Sequence, residues 1–465
     1  MFLRFNFKHP NAMKTKFIIL INCMLVMVSC LKTIDDDENK KKIIIPDENF
    51  ATNTQNISVP NPVSISFSGG QTVVDNPFEG KGVTIDVDRQ NVTITSSITD
   101  IEVNYVLSGS TRDGFVKIYG DYKMGLVFNG VSILNPVGAA INIQSGKKVS
   151  VTLVDKTSNR LIDGGKFQMT EGERMNGTFY SEGQLIFDGA GSLSVYGNSG
   201  HAICAHDYIQ INSGNITVNN AISDGIHCRK YFLMNGGNVA INAKSDGVEC
   251  TNGQVIIDGG IIKVDQSGAK GLKSAENISI YGGRIELETS DNGIDAAGNI
   301  TILGGEIYCN SSKKGIVSKG TITMMGGLLV STATKDVFIC EKTFSITGGT
   351  IACVGNATVV PAESNCWQRA VVWNTSKFAA GQLIYIKSSN NSEVLTFKLP
   401  RAYSGSMALV FTSPLLQANT NYTIYKGGAV SGGNDFHGLY SGAVSSGGTE
   451  AANFTTSKMV QLLGL

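Results

Sequence analysis

Three carboxylates in two nearly identical hexapeptides are the strongest candidate metal ligands in this sequence. Asp224 belongs to SDGIHC at 223–228, and Asp246 and Glu249 belong to SDGVEC at 245–250. Carboxylate oxygens are the ligands that Ca²⁺ prefers, and Ca²⁺ takes about six to eight of them. These residues therefore form a candidate calcium site. A weaker second pair of candidate calcium ligands consists of Asp291 and Asp295.

Lysines at equivalent positions leave another interpretation open. Lys270 follows Asp246 by 24 residues, and Lys273 follows Glu249 by the same interval, so each carboxylate has a lysine one repeat further on. Exposed ion pairs of this kind contribute little stability. The pattern is compatible with a surface row of alternating charges as well as with a calcium site.

A repeat of 22 to 23 residues fixes where these side chains lie. Eight dipeptides ending in glycine recur at this interval, and so regular a period is typical of a solenoid in which each repeat is one coil. The second glycines are Gly191, Gly214, Gly237, Gly260, Gly283, Gly305, Gly327 and Gly349.

Apolar and polar residues alternate on both sides of each glycine pair. Around Gly214, for example, Ile209 and Ile211 precede the pair and Ile216 and Val218 follow it. A period of two indicates strands with one buried face and excludes helical repeats. The sequence therefore predicts an all-β fold, a right-handed parallel β-helix solenoid with a small C-terminal β unit. Equivalent residues of neighbouring coils would then lie ~4.8 Å apart.

This register predicts two further pairs of outward side chains. Tyr208 lies over Tyr231, six residues before the second glycine of its repeat, and His201 lies near His227. The tyrosines are candidate ligand-binding residues because aromatic rings stack on sugars, although tyrosines on strand surfaces are also common. The histidines lack a visible third ligand or serine partner, so we expect them to be solvated.

Composition and repeat regularity divide the chain into five segments. The strands become irregular before 191 and change character after 360, and the C-terminal unit is expected to cover the open end of the solenoid. The segments are a lipoprotein signal peptide at 1–30, a flexible tether at 31–55, irregular first coils at 56–190, the regular β-helix at 191–360 and an antiparallel β unit at 361–465.

The N-terminus carries a targeting signal. Met13 is the better start, because two lysines then precede the apolar run 17–28, which is too short to span a membrane. The run ends in a segment that resembles a bacterial lipobox, with Cys30 as the lipidated residue. The acidic run 35–38 resembles a surface-export signal. We expect an outer-membrane lipoprotein exposed at the cell surface, with an ordinary secretory signal as the alternative.

Charge composition argues against nucleic-acid binding. The chain has 38 Lys and Arg residues and 38 Asp and Glu residues, which gives a formal net charge of zero. Nucleic-acid binding depends on a basic surface that neutralises phosphates. We therefore expect no nucleic-acid partner, contact with a membrane only through the lipid anchor, and a monomer.

The chain resembles a bacterial family of secreted carbohydrate-binding parallel β-helices of the polygalacturonate- and cellulose-binding type, related in fold to pectate lyases. The SDGI-type corner followed by a GG-x-[IV]-x-[VI] strand carries the resemblance. It implies binding of acidic or β-linked plant polysaccharides, with calcium on the flank of the helix. Further stretches that resemble the family are 68–70, 105–109, 126–131, 422–428 and 438–440.

Three functions follow from this resemblance and from the residues. The first is a non-catalytic surface lipoprotein that recognises a polysaccharide, and the second is a surface adhesin or structural protein. The third is a calcium-dependent pectate lyase, in which Lys270 or Lys273 would remove the proton next to a uronate carboxylate. Such a base needs a strongly lowered lysine pKa. We therefore assign no catalytic residue.

Overall fold

Strands account for nearly all of the regular structure. Within the described residues the helical element is the 3₁₀ turn Glu363–Asn365, and no helix there has both the length and the apolar character that a membrane span requires. The predicted lipidation site Cys30 lies outside the described residues. The structure is a computed structural model that describes residues 31–35, 42–46, 50 and 53–464.

The chain divides into two units, residues 1–51 and 52–465. In the first unit, within the segment expected to be a tether, Leu31–Asp35 pairs antiparallel with Lys42–Pro46. The second unit contains a parallel β-solenoid of about 11 turns, followed by antiparallel sheets at its C-terminal side. The predicted all-β solenoid with a C-terminal β unit is therefore confirmed.

Three ladders of strands form the solenoid, and each regular coil contributes one strand to each. The corner ladder contains the SDG-type segments. It runs parallel except at its first pair, where Val83–Asp88 is antiparallel to Asn91–Ser96. The remaining corner strands are Phe115–Gly120, Ile141–Ile143, Gly177–Ser181, His201–Ala205, Ile226–Cys228, Val248–Cys250, Leu272–Ser274, Ile294–Ala296, Ile316–Ser318 and Phe338–Cys340.

The pre-glycine ladder consists of the strands that precede each glycine pair. Its first member, Val63–Ser68, pairs parallel with Val103–Thr111, and that strand pairs with Met124–Asn135. Both long strands continue into the next ladder. The others are Lys148–Leu153, Gln184–Gly189, Tyr208–Ile211, Tyr231–Met234, Gln254–Ile257, Ile278–Ile280, Ile300–Ile302, Ile322–Met324 and Phe344–Ile346.

The post-glycine ladder follows each glycine pair and completes the coil. Its residues alternate between the interior and the outer face, as a strand with one buried face requires. Its strands are Ser158–Asp163, Ser192–Gly197, Asn215–Ala221, Asn238–Ala243, Ile261–Ser267, Arg284–Thr289, Glu306–Ser311, Leu328–Ala333 and Thr350–Gly355.

The apolar columns predicted from the sequence fill the interior of the solenoid. Ile209, Ile211, Ile216 and Val218 are each at most 1 % exposed, and their apolar equivalents in later coils belong to the same buried cluster. Full burial of an aliphatic side chain contributes about 1.5–3 kcal/mol. Because one such set recurs in each coil, stability accumulates coil by coil.

The glycine repeat has a conformational cause. From Gly214 to Gly349 the second glycines have φ between 79° and 100°, which is the left-handed region that side chains with a Cβ disfavour. Gly191 differs from the later second glycines, because its φ does not lie in this region. In that coil Gly189, with φ 102°, is the left-handed residue, because it ends the longer strand Gln184–Gly189.

Replacing Gly283 by alanine is expected to destabilise the solenoid by about 2 kcal/mol, because φ is 85° and the added Cβ would lie 2.7 Å from Gly260 O. Gly146→Ala is the matched control, since it has space for a Cβ and no positive φ. Urea denaturation followed by circular dichroism measures both. Equal midpoints for the two variants would contradict the argument.

Antiparallel strands close both ends of the solenoid. At the N-terminal end Gln71–Asp75 pairs antiparallel with Val63–Ser68. At the C-terminal end Tyr403–Thr412 pairs antiparallel with Thr350–Gly355, so the predicted cover of the open end is present. Ala370–Phe378 extends this sheet beyond Tyr403–Thr412. Val460–Leu463 pairs parallel with Ala370–Phe378.

A six-stranded sheet of the C-terminal region packs against the outer flank of the solenoid. Tyr308, Val330 and Ala352 of the post-glycine ladder share a buried cluster with Ile384 and Phe397 of this sheet. A two-stranded pair, Ala429–Ser431 with Val444–Ser446, accompanies it. The sheet order is Asn434–Phe436, Leu439–Ser441, Glu393–Lys398, Leu383–Ser388, Asn421–Lys426 and Thr449–Thr455.

Candidate functional site

Polar side chains on the outer face of the corner ladder meet around Asp224. The strands of three consecutive coils pair in register, which places His227 beside Cys204 on one side and beside Glu249 on the other. Asp224 and Asp246 each lie two residues before the buried apolar residue of their corner strand. The two carboxylates therefore lie on neighbouring coils, as predicted.

His201, Asp224 and Asp246 occupy equivalent positions in successive coils, and the side chain of each accepts a backbone hydrogen bond from the next coil. The Asp224 N–H donates to His201 Nδ1 (3.2 Å), the Asp246 N–H donates to Asp224 Oδ1 (3.0 Å), and the Lys270 N–H donates to Asp246 Oδ1 (2.8 Å). The column therefore satisfies buried backbone donors at the corner, where an unpaired N–H would be costly.

The second carboxylate oxygen of Asp224 faces two histidines. His201 Nδ1 lies 3.2 Å and His227 Nδ1 lies 2.9 Å from Asp224 Oδ2, and the two imidazole rings stack with centroids 4.1 Å apart. His227 Nδ1 also lies 3.2 Å from Glu249 Oε2. The prediction that these histidines lack a third ligand is wrong, because Asp224 supplies it.

Lys273 neutralises the other side of the cluster. Its ammonium lies 2.5 Å from Glu249 Oε1 and 3.2 Å from Asp246 Oδ2. The predicted Glu249–Lys273 pair is therefore present. The Lys270 ammonium lies 3.9 Å from Asp291 Oδ2 rather than pairing with the Asp246 side chain, to which only its backbone N–H bonds.

Burial distinguishes this cluster from a surface row of charges. The side chains of Asp224 and Asp246 are 3–4 % exposed, so the prediction of an exposed row is wrong for these two residues. The reason is that His201, His227 and Lys273 pack over the carboxylates. Buried charges of this kind need both partners and hydrogen bonds.

The electrostatics follow from this packing. Burial by itself would raise the pKa of Asp224, but hydrogen bonds from His201 and His227 hold it well below its usual range. Burial would lower the pKa of His227, but its bonds to Asp224 and Glu249 raise that pKa to about 9. Burial would also lower the pKa of Lys273, but its contacts with Glu249 and Asp246 raise that pKa. Burial raises the pKa of Asp246. At neutral pH Asp224 is therefore negatively charged, and His227 and Lys273 are positively charged.

The second pair of candidate calcium ligands is arranged differently. Asp291 Oδ2 lies between the ammonium groups of Lys313 (3.4 Å) and Lys270 (3.9 Å), whereas Asp295 accepts a hydrogen bond from Asn292 Nδ2 (2.7 Å). The structure brings neither carboxylate into a group of three ligands within the described residues. Asp291 and Asp295 remain candidates on the sequence alone. The groups found are His201–Asp224–His227 and Asp224–Asp246–Glu249.

Calcium at Asp224, Asp246 and Glu249 stays a prediction. The oxygen donors suit the ion, but it would have to displace the Lys273 ammonium. Millimolar CaCl₂ is expected to raise the melting temperature, and Asp246→Asn is expected to abolish that rise. Asp336→Asn, further along the same column, is the control. Differential scanning fluorimetry with and without calcium measures the effect, and identical melting temperatures would refute it.

The two predicted ligand-binding tyrosines stack on each other. Tyr208 and Tyr231 are register partners, their rings lie 4.3 Å apart at 11°, and both side chains are half-buried. One face of each ring therefore packs on the other tyrosine, which leaves little free ring surface for a sugar to stack on. Their role in ligand binding stays a prediction.

A row of exposed apolar side chains was missed by the sequence analysis. Tyr281, Leu303, Met325 and Trp367 occupy one position in successive coils, with Thr347 between the last two, and Trp367 is 82 % exposed. We call these four the apolar stripe. At ~4.8 Å per coil, the stripe is about 19 Å long. Their N–H groups donate in turn to Ile257 O, Ile280 O, Ile302 O and, for Trp367, Ile346 O.

A cleft lies between the post-glycine ladder and the C-terminal sheet. Its volume is about 640 Å³, and Arg284, Glu306, Asp435, Phe436 and Tyr440 contribute to its lining. The guanidinium of Arg284 lies 3.1 Å from Glu306 and above the Phe436 ring. Arg284 and Glu306 are register partners of neighbouring coils, but Asp435, Phe436 and Tyr440 lie more than 120 positions further along the chain, so the repeat pattern could not have placed them beside this pair.

The fold and surface define a class of protein, a parallel β-solenoid with aromatic side chains exposed along its coils. Residues 88–356 match the family described as carbohydrate-binding domain-containing protein, and the chain belongs to that family. Among solved structures, the chain is similar to a polysaccharide lyase-like protein from C. thermocellum, solved as a gadolinium derivative. Identity is 23 %, the TM-score is 0.40, and the match covers 62 % of this chain and 99 % of that chain. No curated protein matches the chain.

Proposed function

We propose that this protein binds a polysaccharide without cleaving it, and that the polymer lies along the apolar stripe. Membership of a carbohydrate-binding family supports a carbohydrate ligand. The observation that carries the proposal is the exposure of Tyr281 and Trp367 at two ends of one row, because aromatic faces bind the apolar faces of sugar rings. A row about 19 Å long suits a chain of several sugars.

The charges around Lys273 support a non-catalytic role. A lyase base must be unprotonated near neutral pH, and therefore needs a lowered pKa. Lys273 has the opposite shift, because Glu249 and Asp246 stabilise its ammonium form. Buried Asp224 and Asp246 instead hold backbone donors of neighbouring coils, which is a structural task.

The finer features of this proposal come from the sequence. We propose an acidic or β-linked plant polysaccharide as the ligand, with calcium assisting at the corner ladder. Cys30 would carry the lipid that anchors the protein in the outer membrane, facing the cell exterior. We also propose that the protein acts as a monomer.

A glycan array with and without EDTA tests the function, followed by incubation with each bound polymer. Binding without new ultraviolet absorbance from unsaturated uronates is the result expected. Release of unsaturated sugars would instead identify a lyase. Binding to proteins or cells but to no glycan would overturn the proposal in favour of an adhesin.

A further inference from the structure

We propose that His201 and His227 bind a zinc ion together with Asp224, and that Glu249 is the fourth ligand. His201 lies on strand His201–Ala205, His227 lies on the next corner strand, and Glu249 lies on the one after. The ion would therefore join three consecutive coils. It is distinct in chemistry from calcium, because imidazole nitrogen favours zinc and related transition metals.

The separations of the ligand atoms suit a tetrahedral zinc ion. Zinc bonds to nitrogen and oxygen are ~2.0–2.2 Å, which places tetrahedral ligand atoms about 3.3 Å apart. Asp224 Oδ2 lies 3.2 Å from His201 Nδ1 and 2.9 Å from His227 Nδ1. Glu249 Oε2 lies 3.2 Å from His227 Nδ1. The ligand atoms already grouped are those of His201, Asp224 and His227, and the Glu249 side chain would have to turn toward them to complete the site.

The contacts of His201 place one ring nitrogen between a donor and an acceptor. His201 Nδ1 lies 3.2 Å from the Asp224 N–H and 3.2 Å from Asp224 Oδ2. One imidazole nitrogen can accept from the N–H or donate to the carboxylate, but it cannot do both at once. A zinc ion bound by the two Nδ1 atoms and Oδ2 would release the protons that these nitrogens carry, including that of His227, and would replace the hydrogen bonds to the carboxylate.

The supporting contacts leave the proposed ligand atoms available. Asp224 Oδ1 accepts the Asp246 N–H, which fixes the carboxylate and turns Oδ2 toward the histidines. Such second contacts orient metal-binding carboxylates. Lys273 uses Glu249 Oε1 and Asp246 Oδ2, so it engages neither Asp224 Oδ2 nor Glu249 Oε2 in these contacts. Lysine and zinc would occupy opposite sides of the cluster.

Access to the site is through its histidine edge. The His201 and His227 side chains are 11 % and 15 % exposed, whereas Asp224 is buried beneath them. An ion can therefore enter from solvent and meet a preformed buried carboxylate. Because it would bind the folded coils only, zinc should stabilise the fold.

Isothermal titration of the EDTA-treated, tag-free full chain with ZnCl₂ tests the proposal. We expect one zinc per chain, a higher melting temperature with zinc, and at least about tenfold weaker binding in His201→Ala and in His227→Ala. His437→Ala is the matched control. Its imidazole also lies 3.2 Å from a glutamate, Glu286, but belongs to another part of the molecule.

Cobalt substitution provides a second readout that does not depend on variants folding correctly. Co²⁺ bound to the unaltered chain should give the intense visible absorption of a tetrahedral site with nitrogen ligands. A weak octahedral spectrum, or no zinc binding at about 100 µM, would overturn the proposal. An unchanged zinc affinity in both histidine variants would also overturn it. If the affinity falls only in Asp246→Asn, the ion binds at the three carboxylates and the proposal is likewise overturned.

Discussion

Trp367→Ala should weaken polysaccharide binding about 30-fold, which corresponds to about 2 kcal/mol and is typical of a tryptophan that contributes strongly to a binding surface. The side chain is 82 % exposed and ends the apolar stripe. Its removal leaves the solenoid core intact, because the core is formed by the inward columns. Tyr281→Ala, at the other end of the stripe, should weaken binding about tenfold.

Affinity electrophoresis in gels containing the polymer identified on the array measures this effect. Val73→Ala is the control, since Val73 is also exposed but lies on the N-terminal hairpin outside the stripe. Tyr208→Ala tests whether the polymer binds at the stacked tyrosines instead of at the apolar stripe. If Tyr208→Ala abolishes binding and Trp367→Ala does not, the polymer binds at the stacked tyrosines and the stripe is not its site.

Asp163→Ala is expected to have the largest effect on stability, a loss of about 3–5 kcal/mol. Asp163 is fully buried, and its carboxylate accepts the N–H of Gly165 (3.0 Å) and of Asn198 (2.8 Å). It also accepts the hydroxyls of Thr178 (2.6 Å) and Ser199 (2.7 Å). Alanine would remove the acceptor of all four contacts, although the Thr178 hydroxyl also reaches Tyr196 O. Each buried donor left unpaired costs about 1–3 kcal/mol.

Urea denaturation monitored by circular dichroism measures the Asp163 effect. Asp163→Asn should cost less than Asp163→Ala, because the amide oxygen can still accept part of the network. Asp155→Ala is the matched control, since that side chain is 64 % exposed and its nearest ammonium, that of Lys156, is 3.9 Å away. A midpoint for Asp163→Ala close to that of the control would show that the network does not stabilise the fold.

The sequence predicted the parts of the fold that the repeat itself encodes. The period and the alternation around Gly214 predict strands, buried columns and the register of Asp224 with Asp246. Each of these depends only on the spacing along the chain. At Gly191 the same glycine spacing does not mark the left-handed residue, because in that coil the longer strand Gln184–Gly189 places it at Gly189.

The candidate sites required three-dimensional information that the repeat does not contain. Trp367 lies beyond the last glycine pair, so only its hydrogen bond to Ile346 O reveals that it continues the row of Tyr281. That row could have been found in part, since Tyr281, Leu303 and Met325 all stand two residues before a second glycine. The burial of Asp224 depends on side-chain directions that spacing cannot supply.

The antiparallel strands at the two ends of the solenoid determine how this protein can occupy a long polymer. Gln71–Asp75 and Tyr403–Thr412 reverse the strand direction, so a second molecule cannot continue the parallel stack from either pairing. The number of coils, and with it the footprint on the polymer, is constant for every molecule. The number of protein molecules bound to a polysaccharide should therefore increase in proportion to polymer length. Bound molecules should not start filaments of further molecules.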